Sequence, residues 1–256
     1  MTCFSLTIFL HTLTMIKVAS LNGNSLRNMN KLEQVLVSVK ADMWCFQETN
    51  WTDSKMLEIK SKWSELIFCS HGSEKTCGVA ILVKNDVVQN VKQVYTDNQG
   101  RLIVIEFEVQ NVIFRLINVY ASNIESERRD MFNNLRSLCS ENCILVGDFN
   151  VKCIRMDVSR CDSFKHDSSR NALWELMKNE NLVDIWRAEN LNRRVFSRRQ
   201  VVLNELKQSR IDLCLVKEDV IQQVQKMSYN FTAYSDHAVM SFQIGECVFM
   251  VGGSES

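Results

Sequence analysis

The chain has 256 residues, 46% hydrophobic and 23% charged, with 30 basic side chains against 30 acidic ones. A chain this long buries roughly 75% of its unfolded surface, so its stability calls for no disulfide or metal staple. The zero net charge, with a pI near 6.9, lacks the overall basic bias of a typical nucleic-acid binder, so any polyanion partner has to be met by a local patch.

Residues 1–14 are apolar in part (Phe4, Leu6, Ile8, Phe9, Leu10, Leu13). They lack the basic start and small-residue cleavage site of a signal peptide and are too short to span a membrane. They read as an extension upstream of the fold, which is expected over 15–245, with 246–256 as a frayed tail. Ile16–Leu21 alternates like a strand, and Met29, Leu32, Val35, Leu36 and Val39 then recur at helical spacing. Met43–Phe46 is a short apolar strand that ends at Gln47-Glu48. Gly78–Val83, Val87–Val94, Leu102–Val109 and Val112–Val119 read as successive strands, separated by polar turn residues. Ser122 and Glu125 fit a capping box for a helix burying Met131, Phe132, Leu135 and Leu138. Cys143–Val146 reads as a core strand that stops at Gly147-Asp148-Phe149-Asn150. A helix is expected from about Ser169 to Glu180, then strands at Ile211–Val216, Ile221–Met227 and Ala238–Ile244. Two sheets face to face with helices outside, in one domain, account for this order.

The chain has no proline, so its turns rely on Gly, Asn, Asp and Ser. Ten cysteines show no CxxC and no paired zinc spacing, and several sit in apolar strand-like runs. They read as reduced, mostly buried thiols of an intracellular protein.

Polar candidates recur where apolar runs end: Asn22, Glu48, Tyr120, Asp148 with Asn150, and Ser235-Asp236-His237 before the last strand. Loops at strand ends are where a rigid scaffold presents reactive groups. Six fragments carry a family resemblance: Ser20-Leu21-Asn22-Gly23-Asn24, Gln47-Glu48-Thr49, Asn118-Val119-Tyr120-Ala121, Gly147-Asp148-Phe149-Asn150, Ser209-Arg210-Ile211-Asp212 and Ser235-Asp236-His237. In order and spacing the chain resembles the endonuclease/exonuclease/phosphatase superfamily over about residues 15–245. Within it, the chain looks most like the apurinic-type endonuclease domain of non-LTR retrotransposons. The resemblance implies a four-layer α/β sandwich, two mixed β-sheets between helices. It also implies hydrolysis of a phosphodiester with a divalent metal, Mg²⁺ with Mn²⁺ as a substitute, to nick DNA with 3′-hydroxyl and 5′-phosphate ends.

Under that resemblance Glu48 is a hard oxygen ligand for the metal, assisted by Asn22 and Asp236. Asp148 orients or deprotonates the attacking water, and Asn150 holds that water or a phosphate oxygen. His237 contacts the phosphate, with Asp212 on its other ring nitrogen, and Tyr120 donates to the phosphate. Asn123, Ser197, Arg198 and Arg210 are expected against the substrate. Arg187, Arg193, Arg194, Arg198, Arg199, Lys207 and Arg210 form a local basic stretch suited to the DNA backbone. Three departures from the family pattern stand out. Ser122 replaces a proline, Phe196-Ser197-Arg198 stands where Phe-Thr-Trp is usual, and Asn24 replaces the Asp of many repair members. Two alternatives stay open: a superfamily phosphodiesterase or phosphatase acting on RNA, an inositol phosphate or a lipid, and a catalytically inactive nucleic-acid-binding relic. The family implies a nuclear location and no membrane partner.

Overall fold

The computed structural model describes residues 15–62, 66–72, 77–160 and 163–245; the expected extension 1–14 and tail 246–256 lie outside them. The first sheet contains β1 (Ile16–Asn22), β2 (Met43–Gln47), β3 (Leu66–Ser70), β4 (Val79–Val83), β13 (Val224–Phe231) and β14 (Ala238–Ile244), in the order β13-β14-β1-β2-β4-β3. The second contains β5 (Gln89–Thr96), β6 (Leu102–Val109), β7 (Val112–Tyr120), β8 (Cys143–Asp148), β9 (Leu182–Asp184) and β12 (Asp212–Lys217), in the order β5-β6-β7-β8-β12-β9. Only β1–β2 and β7–β8 pair in parallel; every other pairing in the two sheets is antiparallel, so both sheets are mixed. A separate hairpin pairs β10 (Arg198–Val202) with β11 (Glu205–Ser209).

Side-chain alternation builds the layers. Ile16, Val18, Met43, Cys45, Ile105, Leu116, Ile144, Val146, Cys214 and Val216 meet between the sheets. The intervening positions face out. Ala19, Leu21, Trp44 and Phe46 pack with Leu32 and Val35 of α1 (Met29–Ser38) and Ile59 of α2 (Asp53–Lys62). Ile117, Val119, Leu145, Leu213 and Leu215 pack with Phe132 and Leu135 of α3 (Glu125–Leu135) and Leu173 and Leu176 of α4 (Ser168–Asn179). Helix, sheet, sheet, helix is the four-layer α/β sandwich that the sequence implied. Among the described residues the cysteines are free thiols, and no helix is long and apolar enough to cross a membrane.

Two local expectations shift, and two elements appear that the sequence reading did not anticipate. The capping box does not form: α3 begins at Glu125 behind Ile124. Ser122 Oγ instead donates to Glu127 Oε2, and Glu125 turns to Ser168. The strand expected at Ile221–Met227 begins at Val224 and carries a bulge between Gln225 and Ser228, which breaks the period-2 pattern. α2 buries only Ile59, so its sequence carries little helical periodicity. The hairpin β10–β11 is mostly exposed and turns through Leu203 and Asn204, both at positive φ, without the Gly that marks most such turns.

Candidate active site

The same alternation that makes the core also makes the site. Asn22 continues the inward row of Ile16 and Val18, and Tyr120 that of Phe114 and Leu116. Asp148 continues Ile144 and Val146, and Asp212 starts the row of Cys214 and Val216. Tyr120, Asp148 and Asp212 are direct partners across β7, β8 and β12. His237 precedes β14, which runs antiparallel to β1, so it arrives at the same end as Asn22. At this end the space between the sheets changes from apolar to polar.

Asn22 joins the two sheets. Its Nδ2 donates to Glu48 Oε1 at 2.9 Å and to Asp148 Oδ2 at 2.9 Å, and its Oδ1 accepts from the Asn24 N–H. Tyr120 donates its hydroxyl to the same Glu48 Oε1 at 2.8 Å. Glu48 itself sits at φ 51°, a conformation that costs a non-glycine residue free energy and turns its carboxylate off the end of β2. Asp148 is oriented at both oxygens, since the Asn150 N–H donates to Oδ1 at 2.9 Å. Gly147, at φ 131°, is required for the close approach of β7 to β8: a Cβ there would lie 2.1 Å from the Val119 carbonyl oxygen.

His237 Nδ1 and Asp212 Oδ2 are 2.8 Å apart, and His237 Nε2 faces Asp148 Oδ2 at 3.9 Å. Both the ring and the two carboxylates are buried. Burial alone would depress the imidazolium, but Asp212, Asp148 and Asp236 outweigh it and raise His237 to about 9. It therefore carries a proton at neutral pH and offers Nε2–H to the cleft. Burial, reinforced by Asp212, raises Asp148 to about 7 against the opposing pull of His237. Burial and then Glu48 push the Tyr120 phenol upward, so it remains a donor.

Several neighbours hold these groups in place. Gln47 Nε2 donates to Asn118 Oδ1 at 2.7 Å across the sheets, and Asn118 Nδ2 donates back to the Phe46 and Ala80 carbonyls at 3.0 Å each. This buried amide pair ties the strand carrying Glu48 to the strand carrying Tyr120. Lys31 Nζ donates to the Gly23, Asn24 and Ser25 carbonyls and so fixes the loop after Asn22. Gln47 and Asn118 lay in the motif fragments with no role attached. Lys31 gave no sequence signal, being one lysine on a helix face.

Two substrate contacts expected from the sequence are corrected. Arg210 is fully buried, with Nε 2.9 Å from Asp157 Oδ1 and Nη2 2.6 Å from Asp184 Oδ2. Ser197 is also fully buried, and its hydroxyl accepts from the Ile211 and Asp212 N–H groups at 3.0 Å each. Both therefore brace the strand that carries Asp212 and cannot touch a ligand. The basic stretch is thinned in the same way: Arg187 pairs with Asp157, and Arg194 donates to the Val158 carbonyl. Arg198 remains half-buried, with Nε 3.2 Å from Asp236 Oδ2, and Asp236 Oδ1 accepts from Asn24 at 3.4 Å. Asp236 thus flanks the Glu48–Asn22–Asp148 group through Asn24. Asn150 gives Nδ2 to the Ala121 carbonyl and, with Asn123 and Arg198, lines an adjoining cleft.

The donor set suits a hard divalent cation. Asp148, Asp212 and His237 cluster with polar atoms within 4.8 Å of one another, but the protonated His237 is a donor there, so the oxygen ligands come from Glu48 and Asp148, which converge on the Asn22 amide.

Residues 19–237 match the Endonuclease/Exonuclease/phosphatase family. The chain belongs to that family. Its fold is that of the family's hydrolases, which act with a divalent metal. This family member is 27% identical over 237 residues to the Transposon TX1 uncharacterized 149 kDa protein of Xenopus laevis, covering 90% of this chain and 18% of that protein. The chain therefore spans under a fifth of the curated relative's length. Among solved structures it is similar in fold to the AP endonuclease LMAP from Leishmania major, with a TM-score of 0.75, 18% identity, and 91% and 89% of the two chains covered. It is also similar to the endonuclease domain of TRAS1, a telomere-specific non-LTR retrotransposon, with a TM-score of 0.67, 19% identity, and 90% and 98% covered. A third similar structure is a variant of the 3′ phosphatase NExo from Neisseria bound to a product DNA hairpin, with a TM-score of 0.71, 20% identity, and 90% and 99% covered.

Proposed function

We propose that this chain is a metal-dependent DNA endonuclease that hydrolyses one phosphodiester bond per nick and leaves 3′-hydroxyl and 5′-phosphate ends, as in target-site cleavage by a non-LTR retrotransposon. The observation that carries the reading is the buried Asp212–His237 pair, which presents Nε2 toward Asp148 while Glu48, Asn22 and Tyr120 stand alongside. The transposon-encoded relative and the retrotransposon endonuclease fold support the choice of DNA.

Glu48, with Asn22 and Asp148 beside it, would hold Mg²⁺ or Mn²⁺, and the bound cation supplies charge neutralisation at the phosphoryl oxygens. Asp148, oriented by Asn22 and Asn150, accepts the proton of the attacking water as the water oxygen bonds to phosphorus and the P–O3′ bond breaks, the departing 3′-oxygen taking its proton from solvent. Burial raises the Asp148 carboxyl to about 7, where it can take up a proton near neutral pH. His237 stays protonated through Asp212 and gives Nε2–H to the phosphate oxygen on which charge builds. Tyr120 holds Glu48 Oε1 in the free enzyme and offers the same hydroxyl to the phosphate when substrate arrives. The nuclear location and the absence of a membrane partner belong to the same proposal.

Supercoiled plasmid incubated with the protein and Mg²⁺ tests it. The expected product is nicked circle, absent with a chelator and absent for His237→Ala. Sealing by DNA ligase reports the 3′-hydroxyl and 5′-phosphate ends. Free phosphate released from inositol phosphates or 3′-phosphorylated oligonucleotides, with the plasmid left intact, would replace this reading with that of a phosphatase.

A further inference from the structure

Beside the catalytic group lies a cleft of ≈ 230 Å³ whose wall includes Asn123, Asn150, Lys152, Arg198, Lys207 and Ser209. Among the described residues its lining contains three cations and no carboxylate. In a chain with as many acids as bases, that imbalance sets a local positive field. Arg198 is already paired with Asp236, but Lys152 and Lys207 make no ion pair among the described residues. Lys152 is two residues past Asn150, half-buried, and among the described residues its Nζ reaches only the Ser163 carbonyl at 3.5 Å. Burial depresses its ammonium below the ordinary value, against the pull of Asp167, and Arg170, Arg128 and Arg198 add like charge. An under-solvated ammonium with no ion pair among the described residues gains from an anion that enters the cleft. Lys207 stands exposed on β11 at the rim.

We propose that this cleft is a second phosphate seat, in which Lys152 and Lys207 hold a charged diester flanking the scissile one. The inference rests on the phosphodiesterase reading of the neighbouring site and deepens it. A polynucleotide fills both seats at once, whereas a small phosphomonoester fills only the first. The cleft is thus a specificity device that favours a chain substrate over a terminal phosphate on a small molecule.

A methylphosphonate scan tests it. A nick site mapped on plasmid is rebuilt in a duplex, with one neutral methylphosphonate placed in turn at the two positions on either side of the bond. For the wild-type protein one flanking position is expected to slow cleavage about tenfold, the scale of a lost charge-assisted contact. In Lys152→Met and Lys207→Met the same replacement should cost little further, and each variant should lower the salt slope of binding by about one. Lys92→Met removes the same charge on edge strand β5 and should leave the scan unchanged. The proposal is overturned if no flanking position matters, or if wild type and both cleft variants respond alike. If the wild type cleaves nothing, the phosphodiesterase reading fails, and the same comparison by fluorescence anisotropy still decides whether the seat exists.

Discussion

Replacing Arg210 by Met separates a structural role from a substrate role. Met has similar length and no charge, so it deletes a guanidinium that makes bonds of 2.9 Å to Asp157 and of 3.1 and 2.6 Å to Asp184. Asp157 would keep Arg187 at 3.1 Å and the Ile154 N–H, but Asp184 would keep only the Arg187 N–H at 3.3 Å. Breaking a buried pair from one side costs about 3–5 kcal/mol, because the abandoned carboxylate stays desolvated. Against a total stability of about 5–15 kcal/mol, this is a large fraction. With a urea slope of about 3 kcal/mol/M, the unfolding midpoint should fall by about 1–1.7 M. Urea titration followed by tryptophan fluorescence reads that shift, and anisotropy with a labelled duplex reads the affinity of the folded variant. An unchanged midpoint combined with a tenfold loss of DNA affinity would refute the assignment and return Arg210 to the substrate.

Three further outcomes follow from the geometry. Tyr120→Phe removes the 2.8 Å hydrogen bond to Glu48 but keeps the ring beneath Arg101; kcat/KM for nicking should drop about tenfold or more, with little change in melting temperature. Gly147→Ala forces a Cβ against the Val119 carbonyl at φ 131°, and a cost of about 3 kcal/mol or more should lower the melting temperature by about 6 °C or more in a thermal scan. Asp167 caps α4 and pairs with Arg128 at 2.8 Å. Burial would raise its carboxyl, but the Ser169 hydroxyl and the Arg128 guanidinium win and hold it below the ordinary value. A carboxyl depressed on folding stabilises above its unfolded pKa of about 4 and loses that contribution as pH falls through its folded pKa. Asp167→Ala should therefore lower stability by about 1–2 kcal/mol at pH 7, and melts repeated from pH 5 down to pH 3 should show the gap to wild type closing.

Strands with two buried faces were legible because burial leaves long apolar runs: Leu102–Val109 and Ala238–Ile244 carry the expected boundaries. The edge strand β5, mostly exposed, begins two residues later than its apolar pattern suggests. α2 and the β10–β11 hairpin bury too little to leave a pattern. Asn22, Glu48, Tyr120, Asp148, Asp212 and His237 were legible as motif fragments, and the sheets bring them to one end. What the fragments did not reveal is which polar groups face inward. Ser197 and Arg210 sit in the same motif neighbourhood as Asp212, and only the packing of Asp157 and Asp184 around Arg210 shows that it supports the site from behind. The amide pair Gln47–Asn118 joins residues far apart in sequence, and no local signal encodes such a contact.

The central claim is that Glu48, Asp148 and His237 form one water-activating centre for a phosphodiester. Cleavage of a single-site duplex in ¹⁸O-water, read by mass spectrometry, tests it most directly. The account predicts one heavy oxygen in the 5′-phosphate of the wild-type product, none in the 3′-hydroxyl fragment, and no product from Glu48→Gln, Asp148→Asn or His237→Ala. Equal labelled product from the three variants, or label absent from the 5′-phosphate, would contradict it.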